Sequence, residues 1–152
     1  MSEVNLFDVA LAIDAGDPEP FADVGYVRLG ELVGGAALGM TVYELPPGKS
    51  NCPYHYEVGN EEWAVVLTGR LSIRTPDGEQ ELGPWDAICF PDGEAGAHRF
   101  TNRSEGPVKF AVLSTKIDPS AAVYPDSGKI GVWPPGKLFR LADAVDYWEG
   151  EV

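Results

Sequence analysis

From residue 36 to residue 116 the apolar positions come in short runs without helical spacing. ALGMTVYEL, EEWAVVLTG, RLSIRT, DAICF, HRFTN and VKFAVLST are rich in β-branched and aromatic side chains, and PPG, TGR, TPDGE, LGPWD, PDGEAG and SEGP punctuate them. Many short strands broken by Gly and Pro predict an all-β domain, an antiparallel sandwich or barrel with its core at residues 36–116. Two flanks complete the single domain expected over residues 1–152: an N-terminal arm, 1–35, and a C-terminal wrap, 117–152. The stretch from Asp118 to Gly136 carries four prolines, which predicts an extended arm over the surface. Beyond it Leu138, Leu141, Val145 and Trp148 fall at near-helical spacing, so LFRLADAVDYW is expected to form a short helix packed back on the barrel.

Alternation in EEWAVVLTG places Glu62, Ala64, Val66 and Thr68 on one face and Trp63, Val65 and Leu67 on the other. Both faces are largely apolar, so the outward one needs a cover. The terminal arms or a second subunit could supply it, and a homodimer is the expected assembly.

Length and composition narrow the class. A chain of 152 residues, 44% hydrophobic, fits one domain with a sizeable core. The formal net charge is −13, and the first 35 residues alone hold seven acids against one base. Phosphate backbones and anionic membranes are recognised by clustered cations, so neither nucleic acid nor a membrane is an expected partner. The N-terminal MSEVNLFDVALAIDAG lacks a basic region, and its apolar stretch is broken by Asp8 and Asp14. It reads as neither signal peptide nor membrane span, which makes the cytoplasm the default location. Cys52 and Cys89 are too few for a disulfide scaffold and read as reduced, inert thiols, Cys89 in the core.

The chemistry gathers around the only two histidines. In CPYHYEVGNEEW, His55 and Glu57 stand two apart, so an extended strand projects both to one face and Tyr54 and Tyr56 to the other. Glu62 follows a short Gly-Asn turn, and His98 lies in the later GAHRFTN with Phe100 and Asn102 in its phase. Two imidazoles and two carboxylates meeting in one barrel would form a nitrogen and oxygen site for a divalent first-row metal. The same carboxylates without a cation would share a desolvated pocket, and at least one should bind its proton more tightly.

These residues resemble the two motifs of the cupin superfamily, in particular single-domain bacterial cupins of the conserved-barrel, type-2 kind. His55 matches the first histidine of the first motif, Glu57 occupies the second histidine's place, and Glu62 and Gly69 match the rest. In the second motif Pro91, Gly93, His98 and Asn102 match, Trp85 stands where a turn glycine is usual, and Gly83 is the nearby residue expected to take its dihedral. The resemblance implies a double-stranded β-helix, or jelly-roll barrel. It implies a metal (iron, manganese, nickel or zinc) held by His55, Glu62, His98 and Glu57, the last as ligand or directly behind the ligands. Tyr54, Tyr56, Phe100 and Asn102 are the expected pocket lining. The implied activity is oxygenase- or isomerase-like chemistry on a small organic molecule; the alternative is a non-catalytic barrel that binds a small ligand, with or without metal.

Overall fold

A computed structural model describes residues 3–151; the first two residues of the expected arm and the last of the wrap lie outside that range. Thirteen strands run β1 (Ala12–Ile13), β2 (Gly25–Arg28), β3 (Leu38–Leu45), β4 (Tyr56–Val58), β5 (Glu62–Thr68), β6 (Leu71–Thr75), β7 (Gly78–Leu82), β8 (Ala87–Phe90), β9 (Arg99–Thr101), β10 (Val108–Thr115), β11 (Ser120–Tyr124), β12 (Lys129–Trp133) and β13 (Lys137–Arg140). A short helix, α1 (Leu29–Val33), follows β2. All the strand pairings are antiparallel, as short strands joined by tight turns require. One wall of the barrel is the sheet β1-β2-β3-β10-β5-β8; the other is made by β13-β12-β11-β4 and β7-β6-β9. This is the antiparallel all-β barrel that the strand pattern predicts.

The strand phase read from EEWAVVLTG decides what each wall buries. Ala64 and Val66 enter the central core with Leu45, Leu71, Ile73, Phe90, Phe100, Val108 and Phe110. On the opposite face Leu67 joins Leu29, Val42 and Ala111, and the chain covers this second cluster itself with Val4, Leu6, Val9 and Leu11. The N-terminal arm therefore does half the work expected of a cover. Toward the other end of the same face Trp63 and Leu38 stay exposed.

The flanks differ from their sequence reading. Residues 118–136 are not a wrapping arm: β11 pairs with both β12 and β4, so the barrel wall runs on past residue 116. Alternating Ala121, Val123 and Val132 carry a strand pattern that the four prolines obscured, and those prolines sit outside the paired stretches. The expected C-terminal helix is absent. Residues 137–140 instead form β13 on the free edge of β12, after a reversal in which Gly136 has φ +76°, and Leu141–Asp143 make a single 3-10 turn. Open ladder positions on β12 outweigh a helical stripe this short, and Leu138, Val145 and Trp148 remain exposed.

Trp85, not Gly83, takes the left-handed dihedral of the turn before β8, with φ +71°. Its amide donates to the Val66 carbonyl (2.8 Å), and the Asp86 carboxylate accepts from the Gly83 amide (2.8 Å). Gly69, where the first motif ends, has φ +81°, and a Cβ there would lie 2.7 Å from the Pro107 carbonyl. Only glycine fits that crossing.

Candidate metal centre and its cavity

His55 and His98 face each other across an isolated antiparallel bridge in which each amide donates to the other's carbonyl, at 3.1 and 2.8 Å. Their rings lie 4.8 Å apart. Each Nδ1 is 2.9 Å from a backbone carbonyl, Pro53 for His55 and Gly96 for His98. A carbonyl only accepts, so both Nδ1 atoms carry the proton and both Nε2 atoms present lone pairs to the interior. Burial, reinforced by the charge of its neighbour, pushes His98 down to about 4, and burial lowers His55 as well. Both rings are neutral near pH 7, the form that binds a metal.

Glu62 opens β5 between β8 and β10, paired with Phe90 and Ser114. Its Oε2 lies 3.4 Å from Nε2 of His98 and 4.0 Å from Nε2 of His55. That oxygen is buried and has no hydrogen-bond partner. One ligand atom from each of His55, Glu62 and His98 falls within 4.8 Å of the others. An unsatisfied buried carboxylate oxygen costs free energy unless something fills its place. Two imidazole lone pairs beside it form the mixed nitrogen and oxygen donor set that a divalent transition metal takes, so these residues fit such an ion.

Glu57, on β4, reaches within 3.7 Å of Nε2 of His55 but stands outside that tight group of three. Burial pushes its carboxyl up to about 7; Glu62 also rises to about 7, from burial and then from the charge of Glu57. These four side chains share a cavity of about 410 Å³ with Arg28, Tyr43, Asn51, Cys52, Phe100, Val112, Tyr124 and Trp133.

Of the expected lining residues, only Phe100 borders this cavity. Tyr54 is buried in the bend before β4, with the Arg74 guanidinium 3.8 Å from its ring centre, and does not line the cavity. Tyr56, on β4, does not line it either. Asn102 is fully buried elsewhere: its amide donates to the Leu45 and Gly106 carbonyls at 2.8 Å, and its oxygen accepts from Ser104. It staples a loop. Burial pushes the Cys52 thiol well up, which keeps it protonated and inert. Cys89 is half-buried opposite Trp63 on the outer face, not in the core.

Tyr124 and Trp133 lie in the stretch whose prolines predict an arm; the alternation of SAAVY and KIGVW is the signal that marks it as strand. Arg28 and Tyr43 were hidden by distance along the chain. Tyr26 pairs with Tyr43 across the β2–β3 ladder, and only that register brings Arg28 to the cavity.

A small antiparallel barrel with two interior imidazoles and a carboxylate defines the class of double-stranded β-helix proteins with a metal-type centre. Residues 41–114 match the cupin domain family. A sugar phosphate isomerase of the cupin superfamily from Silicibacter pomeroyi shares the fold, with a TM-score of 0.82 and 24% identity over 97% of this chain and 98% of that one. A protein of Acidithiobacillus ferrooxidans proposed to be a sugar phosphate isomerase aligns with a TM-score of 0.74 and 26% identity, covering 81% and 80% of the two chains. The polyketide cyclase RemF of Streptomyces resistomycificus aligns with a TM-score of 0.62 and 29% identity over 79% and 83%. No curated protein matches the chain significantly. No helix among the described residues is long and apolar enough to cross a membrane.

Proposed function

We propose that the barrel holds one divalent transition metal through His55, Glu62 and His98, and that it catalyses an isomerase-like proton transfer on a small oxygen-bearing organic molecule. The observation that carries the reading is the buried, unpartnered Oε2 of Glu62 facing two imidazole Nε2 atoms whose tautomers are set by backbone carbonyls. A metal bound there supplies Lewis-acid polarisation of a substrate oxygen. The chain supplies the rest. Glu57 borders the same cavity without belonging to the tight group of three, which suits it to take a proton from carbon beside a carbonyl and return it to the neighbouring atom. Phe100, Tyr124 and Trp133 keep the bound skeleton out of bulk water. The candidate sugar phosphate isomerase of Acidithiobacillus ferrooxidans supports this choice over oxygenation. The exposed strip around Leu38 and Trp63, left open by the N-terminal arm, supports a second copy of the chain as its cover.

The test is deuterium exchange followed by NMR. Metal-loaded protein is incubated in deuterated water with aldose and ketose phosphates and with 2-keto acids. Deuterium entering carbon next to the carbonyl, lost in Glu57→Gln at unchanged metal content, is the expected result. No exchange with any member of the panel would replace this reading with that of a non-catalytic binder.

A further inference from the structure

The site cavity shares a seam with a smaller cleft of about 150 Å³, and Arg28, Tyr43 and Asn51 line both. Arg28 ends β2 opposite Thr41, with its guanidinium carbon 5.3 Å from the centre of the Tyr26 ring. It is the only lysine or arginine among the described residues that lines the cavity. Among the described residues the Lys and Arg ion pairs occupy Lys49, Arg70, Arg74, Arg103 and Lys109, and Arg28 is in none of them. Arg28 is exposed at the rim of the cavity that holds Glu57 and Glu62, so its guanidinium is free to meet an anion entering from solvent. Asp14 and Asp17 line the outer cleft together with Arg28, but neither forms an ion pair with it, and Asp14 accepts from the Tyr26 hydroxyl at 3.0 Å.

Arg28 offers a planar fork of N–H donors, Tyr43 a hydroxyl and Asn51 an amide, all on one seam. Burial pushes the Tyr43 phenol up to about 12, so it remains a donor across the neutral range. We propose that the cavity takes a small organic anion whose acid group, a carboxylate or phosphate ester, is held by Arg28, Tyr43 and Asn51 while its other end reaches His55, Glu62 and His98. The inner end of this pose rests on the metal reading above; the Arg28 end stands on its own. A cavity of about 410 Å³ admits roughly ten to fifteen non-hydrogen atoms. The occupant is therefore a short-chain acid or ester, with its carbon skeleton against Phe100, Tyr124 and Trp133.

The test is calorimetric titration of metal-loaded protein with two matched pairs of probes, malate against malamide and glycerol phosphate against glycerol. In at least one pair the charged member should bind about tenfold or more tightly than the neutral one, as a charge-assisted hydrogen-bonded contact requires. The pair that discriminates tells carboxylate from phosphate. Arg28→Gln should remove the preference at unchanged metal content, and Arg28→Lys should restore part of it. Equal binding within both pairs, no binding by any probe, or a preference that survives Arg28→Gln would overturn the proposal. Elemental analysis of the same samples reports on the metal reading alone. If no metal loads, that reading fails, and the charged-to-neutral ratio in the metal-free protein still decides the Arg28 proposal.

Discussion

Oε2 of Glu62 and Nε2 of His98 stand 3.4 Å apart, and above about pH 7, where Glu62 is ionised, neither has a proton for the other: the oxygen is buried without a partner, and the Nδ1 of His98 donates to the Gly96 carbonyl. Acceptor facing acceptor in a desolvated place is unfavourable in the metal-free protein. Glu62→Gln replaces one acceptor by an amide donor and removes a charge. Metal-free Glu62→Gln should therefore be more stable than the parent by about 2 kcal/mol at pH 8, while its metal uptake falls sharply. Urea unfolding and elemental analysis measure the two effects, and their opposite signs distinguish a ligand from a packing residue.

The pH dependence follows from the same groups. Glu57 and Glu62 rise from 4.5 to about 7, so the folded state holds protons that the unfolded chain has released. Their contribution is fully present below about 4.5 and is lost as pH rises through 7. The lowered histidines act oppositely: their contribution is present above 6.5 and is lost as pH falls, for His98 through about 4. The two effects oppose each other between 4.5 and 6.5, and above 6.5 only the glutamate limb remains. Metal-free protein should lose stability from pH 6.5 to 8, and Glu57→Gln/Glu62→Gln should flatten that slope. Added zinc or manganese should raise Tm more at pH 8 than at pH 5.5, because protons compete for the carboxylates at the lower pH. Thermal melts across the series check both signs.

Trp85 holds a left-handed φ of +71° while 70% exposed, so it bears backbone strain with little burial in return. Trp85→Gly should stabilise the protein by about 1 kcal/mol, read as a rise in the urea midpoint at unchanged slope. A fall would mean that the indole packs in a way its exposure does not show.

Asn102 serves as a loop staple. Asn102→Ala strands the Leu45 and Gly106 carbonyls and should cost about 2–3 kcal/mol. Metal content per folded molecule should not change. A large loss of metal at preserved stability would return Asn102 to the site.

What was legible in the sequence was what local chemistry controls. The strand phase of EEWAVVLTG sent Ala64 and Val66 to the core, and the two-residue spacing of His55 and Glu57 put both on the cavity wall. Asn102 shared the right phase with His98, but β9 ends at Thr101 and the next residue turns into the loop. Residues 118–148 misled in both directions. Prolines between β11 and β12 and after β12 masked two strands, and an apolar stripe at helical spacing suggested a helix where the free edge of β12 took a strand. The missing cavity residues come from β2, β3, β10, β11, β12 and the loop before β4, whose meeting depends on sheet order; no short motif encodes it.

Metal stoichiometry of the purified protein and of His98→Ala, measured by elemental analysis after loading with iron, manganese, nickel or zinc and removal of the excess, tests the central claim most directly. The account predicts close to one equivalent of at least one of these metals in the parent and less than about a tenth in His98→Ala. A parent that loads none of the four, or a His98→Ala variant that retains a full equivalent, would contradict it.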